Sequence, residues 1–127
     1  MRVFLVDDDD VINLVHTAII KGVDPHVEIE VFLSGLQLLN RVRALHPHEV
    51  PHYIFLDIRM PEMSGLEVLN EIDKLEVNPI KDSHIFVLSS TLDERDLKEA
   101  VSHKTVSSFL SKPLTFEALQ LILESNA

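Results

Sequence analysis

Short apolar runs alternate with amphipathic stretches along the whole chain, the mark of strands threaded by helices in an α/β fold. Val3–Val6, Val27–Phe32, Tyr53–Leu56, Ile85–Leu88 and Ser107–Leu110 are short and rich in β-branched or aromatic residues. Most are too continuously apolar for a sheet wetted on one face, so helices are expected on both. The intervening segments place apolar residues three and four apart. The first follows four aspartates and puts Val11, Val15 and Ala18 on one stripe, with Ile12 and Ile19 beside it. Three capping-box patterns open the next helices: Ser34 with Gln37, Ser64 with Glu67, and Thr91 with Glu94. The fourth helix carries Leu97, Ala100 and Val101 at that spacing. The last is expected to start near Thr115 and bury Phe116, Leu119, Ile122 and Leu123. Breakers such as Asn78-Pro79 and Lys112-Pro113 fall between elements. Five strands in strict alternation with five helices imply right-handed crossovers on a parallel sheet.

A chain of 127 residues fits one domain, 1–127, able to bury a core without staples. None could come from cysteine, which is absent; disulfide frameworks, cysteine-based metal sites and thiol nucleophiles are thereby excluded. Twenty-one acidic against eleven basic residues give a formal charge of −10. That balance repels phosphate backbones and anionic lipid, and the basic residues form no patch, so nucleic acid and membrane are not expected partners. The amino terminus lacks a signal-peptide core, and no apolar run approaches the ~20 residues of a membrane helix. A cytoplasmic location is expected.

In parallel sheets of this kind, ligand chemistry gathers at the carboxyl ends of the strands. There the sequence places Asp7-Asp8-Asp9-Asp10 after strand 1, Asp57 at strand 3, Ser89-Ser90-Thr91 at strand 4 and Ser111-Lys112-Pro113 after strand 5. Like charges about 4 Å apart repel by about 4 kcal/mol at an effective dielectric near 20, so Asp7, Asp8 and Asp57 need a counter-cation. Oxygen ligands at one hard site suit Mg²⁺, and Lys112 adds a fixed positive charge. Asp9 and Asp10 read instead as N-capping and dipole compensation for the helix that follows. Seven histidines are present. His46-Pro47-His48 with His52 sit on a proline-interrupted loop without metal-ligand spacing, and His16 and His103 are expected on helix surfaces.

The stretch Phe4-Leu5-Val6-Asp7-Asp8, the run Leu56-Asp57-Ile58-Arg59-Met60-Pro61 with Met63-Ser64-Gly65, the hydroxyl at Ser89, and Phe109-Leu110-Ser111-Lys112-Pro113 occur in this order. Together they resemble the receiver domain of two-component response regulators, the CheY-like group, over the whole chain. The resemblance implies a flavodoxin-like (βα)5 three-layer sandwich with strand order 2-1-3-4-5. It implies that Asp57 is the phosphoacceptor and that Asp7, Asp8, Asp57 and the backbone carbonyl of Arg59 hold Mg²⁺. Ser89 would hydrogen-bond the arriving phosphoryl oxygens, Lys112 would pair with them, and Ser89 and Phe109 would form the switch. The phosphodonor would be a histidine kinase or histidine phosphotransfer protein meeting the first helix. A downstream target or homodimer would use the fourth helix, fifth strand and fifth helix, a face carrying Phe109, Arg95, Lys98 and Glu99.

A carboxylate attacks a phosphoryl group poorly because both are anionic, so the chemical need is charge neutralisation and in-line positioning. Mg²⁺ and Lys112 would meet it. Such a domain is not an enzyme toward other substrates: it catalyses only its own phosphorylation and dephosphorylation. Pro61 and Gly65 would hold the loop after Asp57 still, whereas the Arg59 guanidinium could either sit over the phosphoryl site or stay in water. Competing readings are a haloacid-dehalogenase-like phosphatase, a flavodoxin-like electron carrier and a phosphorylation-independent pseudo-receiver. The first wants a second aspartate where Arg59 stands; the second wants Ser, Thr and Gly where four aspartates stand; the third conflicts with the complete set of acids, hydroxyl and lysine. The chain ends at Asn126-Ala127, directly after the last helix, and a stand-alone domain acting by protein contact is expected.

Overall fold

The computed structural model describes residues 1–91 and 93–125. The sequence expectation that touches Asn126-Ala127 lies outside the described residues. The elements run β1 (Arg2–Val6), α1 (Asp10–Val23), β2 (Glu28–Phe32), α2 (Gly35–Arg43), a 3-10 turn (Pro47–Glu49), β3 (Tyr53–Asp57), α3 (Gly65–Asp73), β4 (His84–Ser89), α4 (Glu94–Ser102), β5 (Val106–Ser111) and α5 (Phe116–Ser125). All five strands are parallel, in the order β2-β1-β3-β4-β5. The expected flavodoxin-like topology and each expected strand are therefore present.

Alternate residues of each central strand feed two separate cores. Phe4, Val6, Ile54, Leu56, Ile85 and Val87 face α2, α3 and α4, packing on Leu38, Leu39, Val68, Leu69, Ile72 and Ala100. Val3, Leu5, Tyr53, Phe55, Phe86 and Leu88 face α1 and α5, packing on Ile20, Leu119 and Ile122. Every residue of β3 is buried, which explains its unbroken apolar character. At the sheet edge, β2 leaves Val31 44% exposed.

Helix starts follow the capping residues with one exception. Asp9 caps α1 by accepting from the Val11 and Ile12 amides, Ser34 caps α2, and Ser64 with Glu67 closes a reciprocal box at α3. Thr115 serves α5, its Oγ1 accepting from the Ala118 amide. The exception is α4, expected to be capped by Thr91. The helix begins three residues later at Glu94, so Asp93 is the residue in reach, and its carboxylate accepts from the Arg95 amide at 2.9 Å. Thr91 is engaged elsewhere, in a turn with Ser89.

Three helix faces differ from what their apolar spacing suggests. In α1, Val11, Val15 and Ala18 are exposed, and the buried stripe is Asn13, His16 and Ile20. The helix is rotated because its two polar side chains find partners inside: Asn13 donates to the Asp7 carbonyl, and His16 accepts from the Leu114 amide. These contacts satisfy Asn13 Nδ2 and His16 Nε2, while among the described residues Asn13 Oδ1 is buried without a partner. In α4 only Ala100 is buried; Leu97 and Val101 are 38% and 55% exposed. In α5, Leu119 and Ile122 are buried, whereas Phe116 at the first turn is exposed. His103, expected on the surface, is buried at the end of α4, where its Nδ1 meets an Asp73 carboxylate oxygen of α3.

Candidate functional site

The order β2-β1-β3 reverses chain direction across the sheet between β1 and β3, and the acidic residues stand at that crevice. Asp7 follows β1 and its amide continues the ladder to the Phe32 carbonyl at 3.0 Å. Asp57 is the last residue of β3, five residues before Glu62, whose φ of 67° makes a left-handed bend in the loop that follows. Both carboxylates are 3% exposed, and Asp8 is exposed. One carboxylate oxygen from each of Asp7, Asp8 and Asp57 lies within 4.8 Å of the others, the only such acid or histidine grouping among the described residues. The histidine loop does not compete with it: His46 and His48 stack on each other, and His52 Nδ1 accepts from the Arg2 amide.

Lys112 reaches this pocket from β5. Its amide donates to the Ser89 carbonyl at 2.8 Å, and its ammonium donates to Asp7 Oδ2 at 2.8 Å and stands 3.3 Å from Asp57 Oδ1. Asp7 Oδ1 is also engaged, accepting from the Asp9 amide. Asp57 Oδ1 takes a second donor, the Arg59 amide, at 3.2 Å. Asp57 Oδ1 is thus the engaged oxygen, and among the described residues Oδ2 accepts no hydrogen bond.

Burial pushes the Asp57 carboxyl up to about 6, the Asp7 charge adds to the effect, and Lys112 and the Arg59 amide oppose it. Burial lowers the Lys112 ammonium, but the hydrogen bond to Asp7 and the charge of Asp57 outweigh it, and the net displacement is upward. The pocket is therefore short of positive charge even with Lys112 in place. Three oxygen donors around a cation-deficient, partly open pocket fit a small hard divalent ion such as Mg²⁺.

The displaced Asp57 carboxyl fixes a sign for stability. The folded chain keeps that proton to about pH 6, while an unfolded chain releases it near 3.8. Asp57 therefore lowers metal-free stability progressively as pH rises through that window. Asp57→Asn is expected to be more stable than the wild type at pH 7 by on the order of 1–3 kcal/mol, and no more stable at pH 4. Urea denaturation in chelator at the two pH values measures the difference; equal stability at pH 7 would contradict the electrostatic picture.

The remaining expected residues are near but differently engaged. Ser89 is buried at the end of β4, where its hydroxyl donates to the Thr91 carbonyl at 2.5 Å and accepts from the Thr91 amide at 3.1 Å. Phe109 is half-buried and packs against the core beneath α3 and α4. The Arg59 guanidinium neither covers the acids nor stands free: it pairs with Asp96 of α4 at 2.6 Å and approaches Asp93 at 3.9 Å. Gly65 lets α3 begin against the strand end, its amide donating to the Ile58 carbonyl at 2.9 Å. Sequence reasoning missed Asn13 and His16, which hold the two walls of the pocket from α1; the signal available was two polar residues three apart on a helix with apolar neighbours.

Comparisons with known proteins agree with this geometry. The family described as "Response regulator receiver domain" matches residues 3–124. The chain is 34% identical over 99 residues to FilR2 of Methanothrix harundinacea, named a probable methanogenesis regulatory protein, covering 76% of this chain and 61% of that one. It is 30% identical over 123 residues to the transcriptional regulatory protein HptR of Staphylococcus aureus, covering 96% of this chain and 44% of that one. The chain thus spans about half the length of the curated relatives it matches. Among solved structures, a two-component response regulator from Cytophaga hutchinsonii superposes with a TM-score of 0.83 at 35% identity, covering 98% of this chain and 94% of the other.

Proposed function

The chain belongs to the response regulator receiver domain family, and from that premise we propose that it accepts a phosphoryl group onto Asp57 from a histidine kinase or histidine phosphotransfer protein. The observation that carries this reading is the convergence of three acids from β1 and β3 within 4.8 Å, with the Lys112 ammonium between two of them.

Asp7, Asp8, Asp57 and the backbone carbonyl of Arg59 would hold Mg²⁺, which when bound supplies charge neutralisation for an incoming anion. Asp57 supplies the nucleophile through Oδ2, the oxygen left without a hydrogen bond. An O–P bond forms there as the N–P bond of the phosphohistidine breaks, and the donor imidazole leaves with the electron pair. Lys112 stands within 3.3 Å of Asp57 Oδ1, close enough for its ammonium to follow the phosphoryl oxygens. Ser89 contributes its hydroxyl only by leaving the Thr91 carbonyl, so phosphorylation competes with the turn at residues 89–91. Driving such a loop from 1:99 to 99:1 takes about 5.5 kcal/mol of differential interaction, within reach of two or three charge-assisted hydrogen bonds. The half-buried Phe109 on β5 and the exposed Leu97 and Val101 on α4 would carry the change to a downstream protein or a second copy. The chain acts as a catalyst only on its own Asp57. Among the described residues no helix is long and apolar enough to cross a membrane.

Incubation with acetyl phosphate and Mg²⁺, read by intact mass, tests this. The wild type is expected to gain one phosphoryl group, and EDTA or Asp57→Asn to prevent it. Asp8→Ala is expected to weaken Mg²⁺ binding about 10-fold or more and to slow labelling in parallel, since ligand charge sets affinity at such sites. Unchanged Mg²⁺ affinity would reduce the acidic run to a helix cap, and absence of label on the wild type would favour a phosphorylation-independent interaction module.

A further inference from the structure

The buried stripe of α1 joins the two walls of the acid pocket. Asn13 Nδ2 donates to the Asp7 backbone carbonyl at 2.9 Å, on the β1 side. One turn later, His16 Nε2 accepts from the Leu114 amide at 3.0 Å, on the β5 side, across 98 residues of sequence. Leu114 is two residues beyond Lys112, and both His16 and Leu114 are buried, at 2% and 1% exposure. The intervening Pro113 has no amide to donate, so the Leu114 amide is the first donor after Lys112 by which this loop can be tied down. The Lys112 amide is held on the other side by the Ser89 carbonyl at 2.8 Å. The lysine backbone is thereby fixed between β4 and α1.

We propose that His16 is a positioning residue for Lys112: by accepting the Leu114 amide it sets the loop from which the ammonium reaches Asp7 and Asp57. The inference rests on the phosphoacceptor reading of the same pocket and adds a residue to it that touches none of the reacting atoms. The contact fixes the ring state, because Nε2 accepts only in the neutral tautomer with the proton on Nδ1. Burial lowers the His16 pKa, the Asp7 charge raises it and the Lys112 charge lowers it further, with a net downward displacement that keeps this neutral form. An apolar side chain would fill the same space and leave the Leu114 amide buried without a partner.

Three side chains separate positioning from packing. In His16→Gln the amide oxygen can reach where Nε2 stands; in His16→Asn the amide reaches only as far as Nδ1; His16→Leu has no acceptor. In the metal-free wild type, a 15N–15N coupling across the hydrogen bond is expected between the Leu114 amide and His16 Nε2. In His16→Leu and His16→Asn the 2.8 Å contact of the Lys112 ammonium with Asp7, followed by NMR, is expected to be lost, and acetyl phosphate labelling to slow by about 10-fold or more, as small misplacements at reacting centres do. His16→Gln is expected to stay within about 2-fold of wild type on the scale where 10-fold is one pKa-sized step. Absence of the coupling would overturn the proposal whether or not the variants fold. So would a folded His16→Leu that keeps the Lys112–Asp7 contact, or failure of His16→Gln to differ from it. If the wild type takes no label yet the Lys112–Asp7 contact is lost in His16→Leu and His16→Asn and kept in His16→Gln, the phosphoacceptor reading fails and the positioning role stands.

Discussion

Gly65→Ala is expected to destabilise the protein by about 2–4 kcal/mol, at the upper end of what overpacking costs. The reason is contact, not backbone conformation, since no glycine here adopts a positive φ. A Cβ at Gly65 would meet the Asp57 carbonyl oxygen at 2.4 Å and the Ile58 Cα at 2.9 Å. Both are backbone atoms at the end of a fully buried strand and cannot swing aside. Relief requires α3 to withdraw from β3, which lengthens the 2.9 Å hydrogen bond from the Gly65 amide to the Ile58 carbonyl and moves Asp57 itself. Phosphoryl labelling should therefore slow with the loss of stability. Gly22→Ala is the control: it lies in α1, where the added carbon meets only the Phe116 ring at 3.7 Å. That variant should lose no stability and gain at most about 0.5 kcal/mol, since Gly22 lies in the last turn of α1, where the helix-interior difference between the two residues is only partly felt. Urea denaturation of the three proteins decides it; a Gly65→Ala variant as stable as wild type would show that the strand end yields freely.

Lys112→Met should be nearly as costly at pH 7, losing about 2–4 kcal/mol in metal-free buffer, because one partner of a buried charge cluster is removed while the others stay. Asp7 and Asp57 are each 3% exposed, and among the described residues the 2.8 and 3.3 Å contacts to Lys112 are their only ion pairs. The deficit should shrink as pH falls through about 6, where Asp57 takes up its proton, and Mg²⁺ should restore more stability to the variant than to the wild type. Labelling by acetyl phosphate should slow by about 100-fold, the scale on which a donor to developing anionic charge acts. A variant that loses less than about 0.5 kcal/mol, the usual range of a surface change, would place Lys112 among ordinary exposed lysines.

The acids and the lysine were legible in the sequence because each lies at or directly after the end of a strand that its own apolar run announces, and the glycine because it follows Ser64 at the capped start of α3. Strand ends then converge by topology alone. What periodicity could not show was α1. Its valines match a helical stripe, but the face that turns inward is chosen by Asn13 and His16, whose partners stand 6 and 98 residues away. Local spacing carries no information about such pairs, and a buried histidine with a backbone donor looks in sequence like a surface one. The α4 start was misplaced for a related reason: Thr91 and Asp93 are both good caps, and the choice falls on Asp93 once Ser89 has taken Thr91 into its own turn. Arg59 was expected at the phosphoryl site or in water; its ion pair with Asp96 instead joins the loop after β3 to α4, segments that local sequence does not relate.

Of the three acids that meet at the sheet's carboxyl edge, only one is held to be the nucleophile, and reductive mapping asks which. The protein is labelled with acetyl phosphate and Mg²⁺, the acyl phosphate is reduced with borohydride to homoserine, and the altered residue is located by peptide mass. Conversion at Asp57 alone is the predicted result. Homoserine at Asp7 or Asp8, or labelled protein with no aspartate reduced, would contradict it.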